Sequence, residues 1–218
     1  MNSPSISGAV RHALLDSLEI SLTRLRELWP TPWPGLNVVF DRCLDQLSPV
    51  PNPSVRMRSL LAGAHAIANA IEDDGVARMR EGIEPAYHNR LHMADTLVCM
   101  THLLLAQRLA NPLKTASIEA ECLALVVMLG HDFLHCGRVN RFPAELESLA
   151  VSLLRPILQT NGVLPDDEDT IAHCILKTEP SGVKQSHALI EGREFDLQDR
   201  DCLAVMATEA DILASTLL

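Results

Sequence analysis

The chain is expected to fold as an all-α helical bundle, and three observations say so. Apolar residues recur at helical spacing through most of its length, as in Val10, Leu14, Leu18, Leu22 and Leu25. No stretch alternates apolar and polar with period two for long enough to make a half-buried strand. Prolines cluster at 30–34 and 49–53, and recur at Pro112, where they break one periodic run from the next.

The elements follow in order. Residues 7–29 form the first expected helix. The segment Trp29-Pro30-Thr31-Pro32-Trp33-Pro34-Gly35 ends it, because proline lacks a backbone donor and its ring clashes with the preceding turn. A short helix over 36–47 and a loop marked by Pro49, Pro51 and Pro53 come next. Residues 1–52 read as an N-terminal helical extension, suited to be a lid, a dimerisation arm or the remnant of a linker. Residues 53–218 read as the main domain. There, 54–80 places Leu60, Leu61, Ala64, Ile67, Ala68 and Ile71 on one side of a helix, and 81–85 is a turn. A long helix over 88–109 stops at Asn111-Pro112, and 117–129 is apolar enough to be a central buried helix. Pro143 suits the first turn of a helix over 143–158. Asn161-Gly162 is a turn, and Asp166-Asp167-Glu168-Asp169 is a solvated acidic helix start continued by 170–177. The stretch 182–192 is left unassigned, and 196–217 is the last helix.

Composition narrows the function. Apolar residues make up 47% of the 218, enough for a sizeable core, and with aromatics at 3% that core must be mostly aliphatic. A net charge of −10 repels polynucleotide backbones, so no nucleic-acid polymer is expected as partner. A small anionic substrate stays open, because a bound dication inverts the local field. None of the six cysteines forms a Cys-x-x-Cys pair, and most lie in apolar helical context, as in a reduced, cytoplasmic protein. The start Met1-Asn2-Ser3-Pro4 lacks a basic region followed by an apolar run, so no signal peptide is expected. The longest apolar run, 122–130, is too short to span a bilayer.

Two segments carry the chemistry. Tyr87-His88-Asn89-Arg90-Leu91-His92-Met93-Ala94-Asp95 and His131-Asp132-Phe133-Leu134-His135-Cys136-Gly137-Arg138-Val139-Asn140 hold four of the nine histidines. His88 and His92 are four apart and would share a helix face, and His131 and His135 repeat the spacing. Imidazole and carboxylate are the usual ligands of zinc, iron, manganese and magnesium. His92, His131 and Asp132 are a plausible ligand set, with a fourth carboxylate owed by another helix. Asp132 is placed to bridge two metals, and His88 to give a proton to a leaving oxygen.

These residues resemble the two signature motifs of the class I cyclic-nucleotide phosphodiesterases, within the HD-domain superfamily of metal-dependent phosphohydrolases. The matching patterns are His88-Asn89-x-x-His92-x-x-Asp95 and His131-Asp132-x-x-His135-x-Gly137-x-x-Asn140-x-Phe142. Ala207-Thr208-Glu209-Ala210-Asp211-Ile212 is similar to a later family segment whose aspartate binds metal. The resemblance covers roughly residues 54–218 and implies an HD-type helical bundle. It implies that His92, His131, Asp132 and Asp211 hold a tight metal, typically zinc. Asp132 would bridge to a second, typically magnesium, and a hydroxide between them would attack the phosphorus. It makes His88 the general acid, sets His135 beside the second metal through its waters, and puts Asp95 and Asn140 behind the ligands as supports.

The chain departs from the pattern at Leu134, where the family has a second aspartate, and at Cys136, where it has proline. Seven residues follow Asp211, and none matches the family's purine-binding glutamine or its stacking aromatic. Glu209 competes with Asp211 as the ligand from the last helix, and Glu147 competes as a carboxylate able to reach the site or simply face solvent. His102 reads as a satisfied core histidine, and Trp29 and Trp33 as packing between extension and core. The expected protein is a phosphohydrolase using zinc plus magnesium, with iron, manganese or nickel able to occupy the same ligands. Its substrate is a small phosphate ester, a 3',5'-cyclic nucleotide or a nucleotide monophosphate among them. A weakly catalytic metal-binding domain is the alternative. No membrane partner is expected, and either residues 1–52 or a homodimer partner would cover the site.

Overall fold

The computed structural model describes residues 8–47, 52–114 and 116–217, with side chains from residue 16 onward. Among the described residues the chain is all-helical, as expected. The helices are α1 (Gly8–Leu28), α2 (Leu36–Leu47), α3 (Val55–Glu81), α4 (Arg90–Ala110), α5 (Ile118–Gly130), α6 (Glu145–Thr160), α7 (Pro165–Lys177), α8 (Val183–Ile190) and α9 (Arg200–Thr216), with a 3-10 turn at Pro180–Gly182.

The core is built around α5. The Ser117 hydroxyl accepts the Ala120 N–H at 3.2 Å and starts the helix. Every residue from Ala120 to Gly130 is then buried, as the apolar run demands. Helices α3, α4 and α7 pack around α5, α9 lies along α4, and α6 closes against α3 and α7. Helices α1 and α2 lie on α4 and sink Leu18, Leu22, Leu25, Phe40 and Leu44 into the same core. At about 2 kcal/mol per buried aliphatic side chain, α1 is held to the bundle by packing well beyond its own helix propensity. At Trp29 and Trp33 the two rings meet edge to face, and Trp33 Nε1 donates to Glu72 of α3 at 2.8 Å. No described helix is long and apolar enough to cross a membrane.

Several local expectations are corrected. Helix α4 begins at Arg90, not at residue 88. The Asn89 side-chain oxygen accepts the N–H groups of Leu91 and His92 at 3.0 and 3.1 Å, with Asn89 itself extended. His88 therefore stands before the cap and does not share a helix face with His92. Pro143 lies outside α6, whose first turn is set by Asn140 Oδ1 accepting from the Leu146 N–H at 2.8 Å. The acidic start of α7 is not simply solvated. Asp167 and Glu168 are buried, the first in a two-point pair with Arg56 of α3 and the second bonded to Gln159. The unassigned stretch holds α8, which packs on α9.

Candidate metal centre

The site forms where the start of α4, the end of α5 and the last turns of α9 meet. Gly130 makes the end of α5 possible, since a Cβ there would sit 2.8 Å from a Leu154 methyl of α6. The chain then turns away, putting His131 and Asp132 at the mouth of the core.

Each motif contributes one deeply buried imidazole. His92 and His131 are 3% and 1% exposed, and the Nε2 atom of each lacks a hydrogen-bond partner among the described residues. Orphaned buried nitrogens are costly unless something else satisfies them. Both face carboxylates. Asp132 Oδ2 lies 3.4 Å from each Nε2, and Asp211 Oδ1 lies 3.3 Å from His92 and 3.7 Å from His131. Donors bound to one ion at about 2.1 Å are spaced by about 3.0–3.4 Å. Most of these gaps match that spacing and exceed a good charge-assisted hydrogen bond of about 2.7–2.9 Å. The His131 ring is oriented to ligate, because its Nδ1 lies 2.7 Å from the Met128 carbonyl, which can only accept. The proton therefore sits on Nδ1, and Nε2 is directed at the carboxylates. The donor set fits a divalent transition ion.

A second cluster shares Asp132. His88, Asp132 and His135 bring one ligand-type atom each within 4.8 Å of one another. His88 Nε2 is 3.7 Å from the same Asp132 Oδ2, and the His88 and His135 rings stack at 3.8 Å. His135 Nδ1 accepts the Gly137 N–H at 3.0 Å, so in its neutral form Nε2 carries the proton and donates into the cleft. Arg78 of α3 holds this turn by donating to the His135 carbonyl at 2.9 Å. The turn needs holding, because Leu134 adopts a left-handed φ of 54°, which disfavours a side chain by about 1 kcal/mol. Nothing in the spacing of the motif marks Arg78, which lies more than fifty residues upstream.

Charges in the first cluster are strongly coupled. Burial pushes His131 down, but Asp132 and Asp211 outweigh it and lift it to about 9. His92 is raised by the same two carboxylates against the same penalty. Burial works to raise Asp132 and Asp211, yet the facing imidazoles pull Asp132 down to about 2 and Asp211 lower still. His88 behaves differently. Burial, assisted by its imidazole neighbours, takes it to about 4 against the pull of Asp132. His135 is lowered too, mainly by burial.

The remaining expected residues divide. Glu209 is drawn away from the cluster by His187, at 2.8 Å, so Asp211 is the α9 carboxylate that reaches it. Asp95, one turn below His92, ties α4 to α1 through Arg26 at 3.0 Å, and its second oxygen finds no partner among the described residues. Asn140 caps α6 and donates to Glu147 Oε2 at 2.8 Å, which turns that carboxylate onto the wall of a cleft of about 410 Å³ beside the cluster. His102 is a buried core histidine bonded to the Val98 carbonyl at 2.9 Å. Tyr87, to which the motif spacing assigns no role, lays its ring against His92 at 4.4 Å and reaches Ser215 of α9 with its hydroxyl. No family model, no curated protein and no solved structure matches the chain.

Proposed function

We propose that the protein is a metal-dependent phosphohydrolase acting on a phosphodiester such as a 3',5'-cyclic nucleotide. The observation that carries the reading is the pair of buried, unpartnered Nε2 atoms of His92 and His131 converging on the Asp132 and Asp211 carboxylates. Bound divalent ions, zinc plus magnesium by the motif resemblance, would polarise the phosphoryl group and activate water there.

The chain's own residues support each remaining step. His92, His131, Asp132 and Asp211 would hold the tight ion, and the sharing of Asp132 Oδ2 between both clusters suits a bridging role. His135 would offer its Nε2–H to a phosphate oxygen across the cleft. His88, at the rim, would protonate the leaving oxygen. Burial keeps it neutral at pH 7, so it would take up a proton from solvent as the negative charge of a bound phosphate favours its charged form, and pass that proton on. His92 and His131 are enclosed, so the inner side of the site is shielded from bulk water, which strengthens charge interactions there.

The test joins elemental analysis of the purified protein to a panel of cyclic nucleotides, nucleotide monophosphates and other phosphate esters. Stoichiometric divalent metal, loss of turnover on chelation and loss of metal in Asp132→Ala are expected. Full metal content in Asp132→Ala would overturn the site assignment. Retained metal with no turnover on any ester would make this a metal-binding domain instead.

A further inference from the structure

The walls of the cleft are anionic in a way the metal cluster does not explain. Glu147 of α6 and Glu179, just before the 3-10 turn, both line it, and both are half-buried. Each is held by a neutral neighbour. Glu147 Oε2 accepts from Asn140 at 2.8 Å, and Glu179 Oε2 accepts from the Ser181 hydroxyl at 2.5 Å. Neither makes an ion pair among the described residues. The cation on the same wall is already spent, because Arg138 grips Glu145 with both Nη atoms at 2.6 and 2.8 Å. Among the described residues no Phe, Tyr or Trp lines the cleft, so it has no stacking surface for a base beyond the imidazoles of His88 and His135. The floor, where the orphaned Nε2 atoms of His92 and His131 face Asp132 and Asp211, already marks this as a place for a ligand.

We infer that the cleft takes a phosphate ester whose alcohol part carries a positively charged amine, recognised by Glu147 and Glu179. The inference rests on the phosphohydrolase reading for the phosphate end alone. Bound dications would offset the carboxylates at the floor, but Glu147 and Glu179 leave uncompensated negative charge on the walls, which a phosphate ester tolerates best when its other end is positive. An ammonium has three donors, and Glu147 and Glu179 keep free lone pairs to receive them. Asn140 and Ser181 fix the two carboxylates beforehand, so little ordering is lost on binding.

The test uses the full chain reconstituted with zinc and magnesium and two matched probe pairs. O-phosphoethanolamine is compared with 2-hydroxyethyl phosphate, and glycerophosphoethanolamine with glycerophosphoglycerol. Affinity is read by calorimetry and turnover by release of the alcohol. The cationic member of at least one pair should bind about tenfold tighter or more, as expected for a charge-assisted contact in a half-buried site. Glu147→Gln and Glu179→Gln should each erase most of that preference while leaving metal content and melting temperature unchanged. Equal or tighter binding of the neutral members, no binding of either pair, or a preference that survives both substitutions would overturn the inference. Preference for the amine without turnover would leave the inference standing and sink the phosphohydrolase reading. Turnover of cyclic nucleotides or neutral esters with no preference would do the reverse.

Discussion

His131 Nε2 lies 3.4 Å from Asp132 Oδ2, although the two residues are adjacent in the chain and His131 is almost fully enclosed. An imidazole and a carboxylate free to pair would close to about 2.8 Å. The gap persists because Met128 pins the far side of the ring and Asp132 is shared with His92 and His88. Such a spread suits an ion seated between the groups. His131→Ala should therefore lose most of the tightly bound metal, whereas His135→Ala should keep it, because His135 turns an N–H rather than a lone pair toward the cleft. Elemental analysis after gel filtration, on variants with matched circular dichroism, decides the point. Full metal in His131→Ala would place the ion elsewhere.

Acid should release that metal. Without an ion the carboxylates hold a proton on His131 up to about pH 9 and raise His92 as well. A metal must displace those protons, so its apparent affinity rises with pH through neutrality and levels off once His131 has lost its proton near 9. The slope should approach about tenfold per pH unit for each proton displaced. Competition against a chelator of known pH dependence measures it. A flat profile between about pH 6 and 9 would mean that the imidazoles are not ligands.

Asp95 supplies a separate, opposite-facing titration. Burial raises its pKa to about 6, with Arg26 opposing. A carboxyl whose folded pKa lies above its unfolded value contributes stability that is present in acid and lost as pH rises through the folded value. The native state should thus gain about 1 kcal/mol from Asp95 between pH 7 and pH 5. Asp95→Asn should remove that gain, so the stability difference between parent and variant should shift by this amount in favour of the parent at pH 5. Urea melts at the two pH values test it, and an unchanged difference would refute the buried-carboxyl account.

Much of the fold was legible, and so were the residues that converge in the candidate site. Leucine spacing finds α1 because a helix packed on one side must repeat its apolar face. His92, His131 and Asp132 were nameable because the motifs carry both residue type and spacing, whereas Asp211 rested on the resemblance of the short 207–212 segment, with Glu209 in competition. What escaped depends on partners remote in sequence. Asp167 reads as solvated until Arg56, 111 residues away, is folded onto it. His88 reads as helical because periodicity cannot see the Asn89 side chain competing for the first N–H groups of α4. Glu179 and Ser181 carry no pattern at all, and only the packing of α8 against α9 brings that turn to the cleft.

The loop that carries His88 hangs on Arg90, and that dependence predicts a change of sign. Arg90 is 4% exposed, grips Glu84 with Nε and Nη2 at 2.9 and 3.1 Å, reaches Glu72 with Nη1 at 3.2 Å, and stacks over Trp29. Its stem lies flat on Gly75 of α3, where a Cβ would fall 2.5 Å from Cδ and Nε. Because both ends of the arginine are fixed, the stem cannot step aside. Arg90→Met should cost about 3–5 kcal/mol, because Glu84 loses both of its bonds to the guanidinium and Glu72 loses its cation. Arg90→Lys should rescue little, since a single ammonium cannot span both. Gly75→Ala in the parent should destabilise, as crowding of about 1–3 kcal/mol exceeds the helix-propensity gain of about 1 kcal/mol. In the Arg90→Met background a flexible thioether yields to the new methyl, and the same Gly75→Ala should become neutral or stabilising. Chemical denaturation of the four proteins closes the cycle. Equal effects of Gly75→Ala in both backgrounds would mean that Arg90 does not pack on that glycine, and that the His88 loop is anchored by something else.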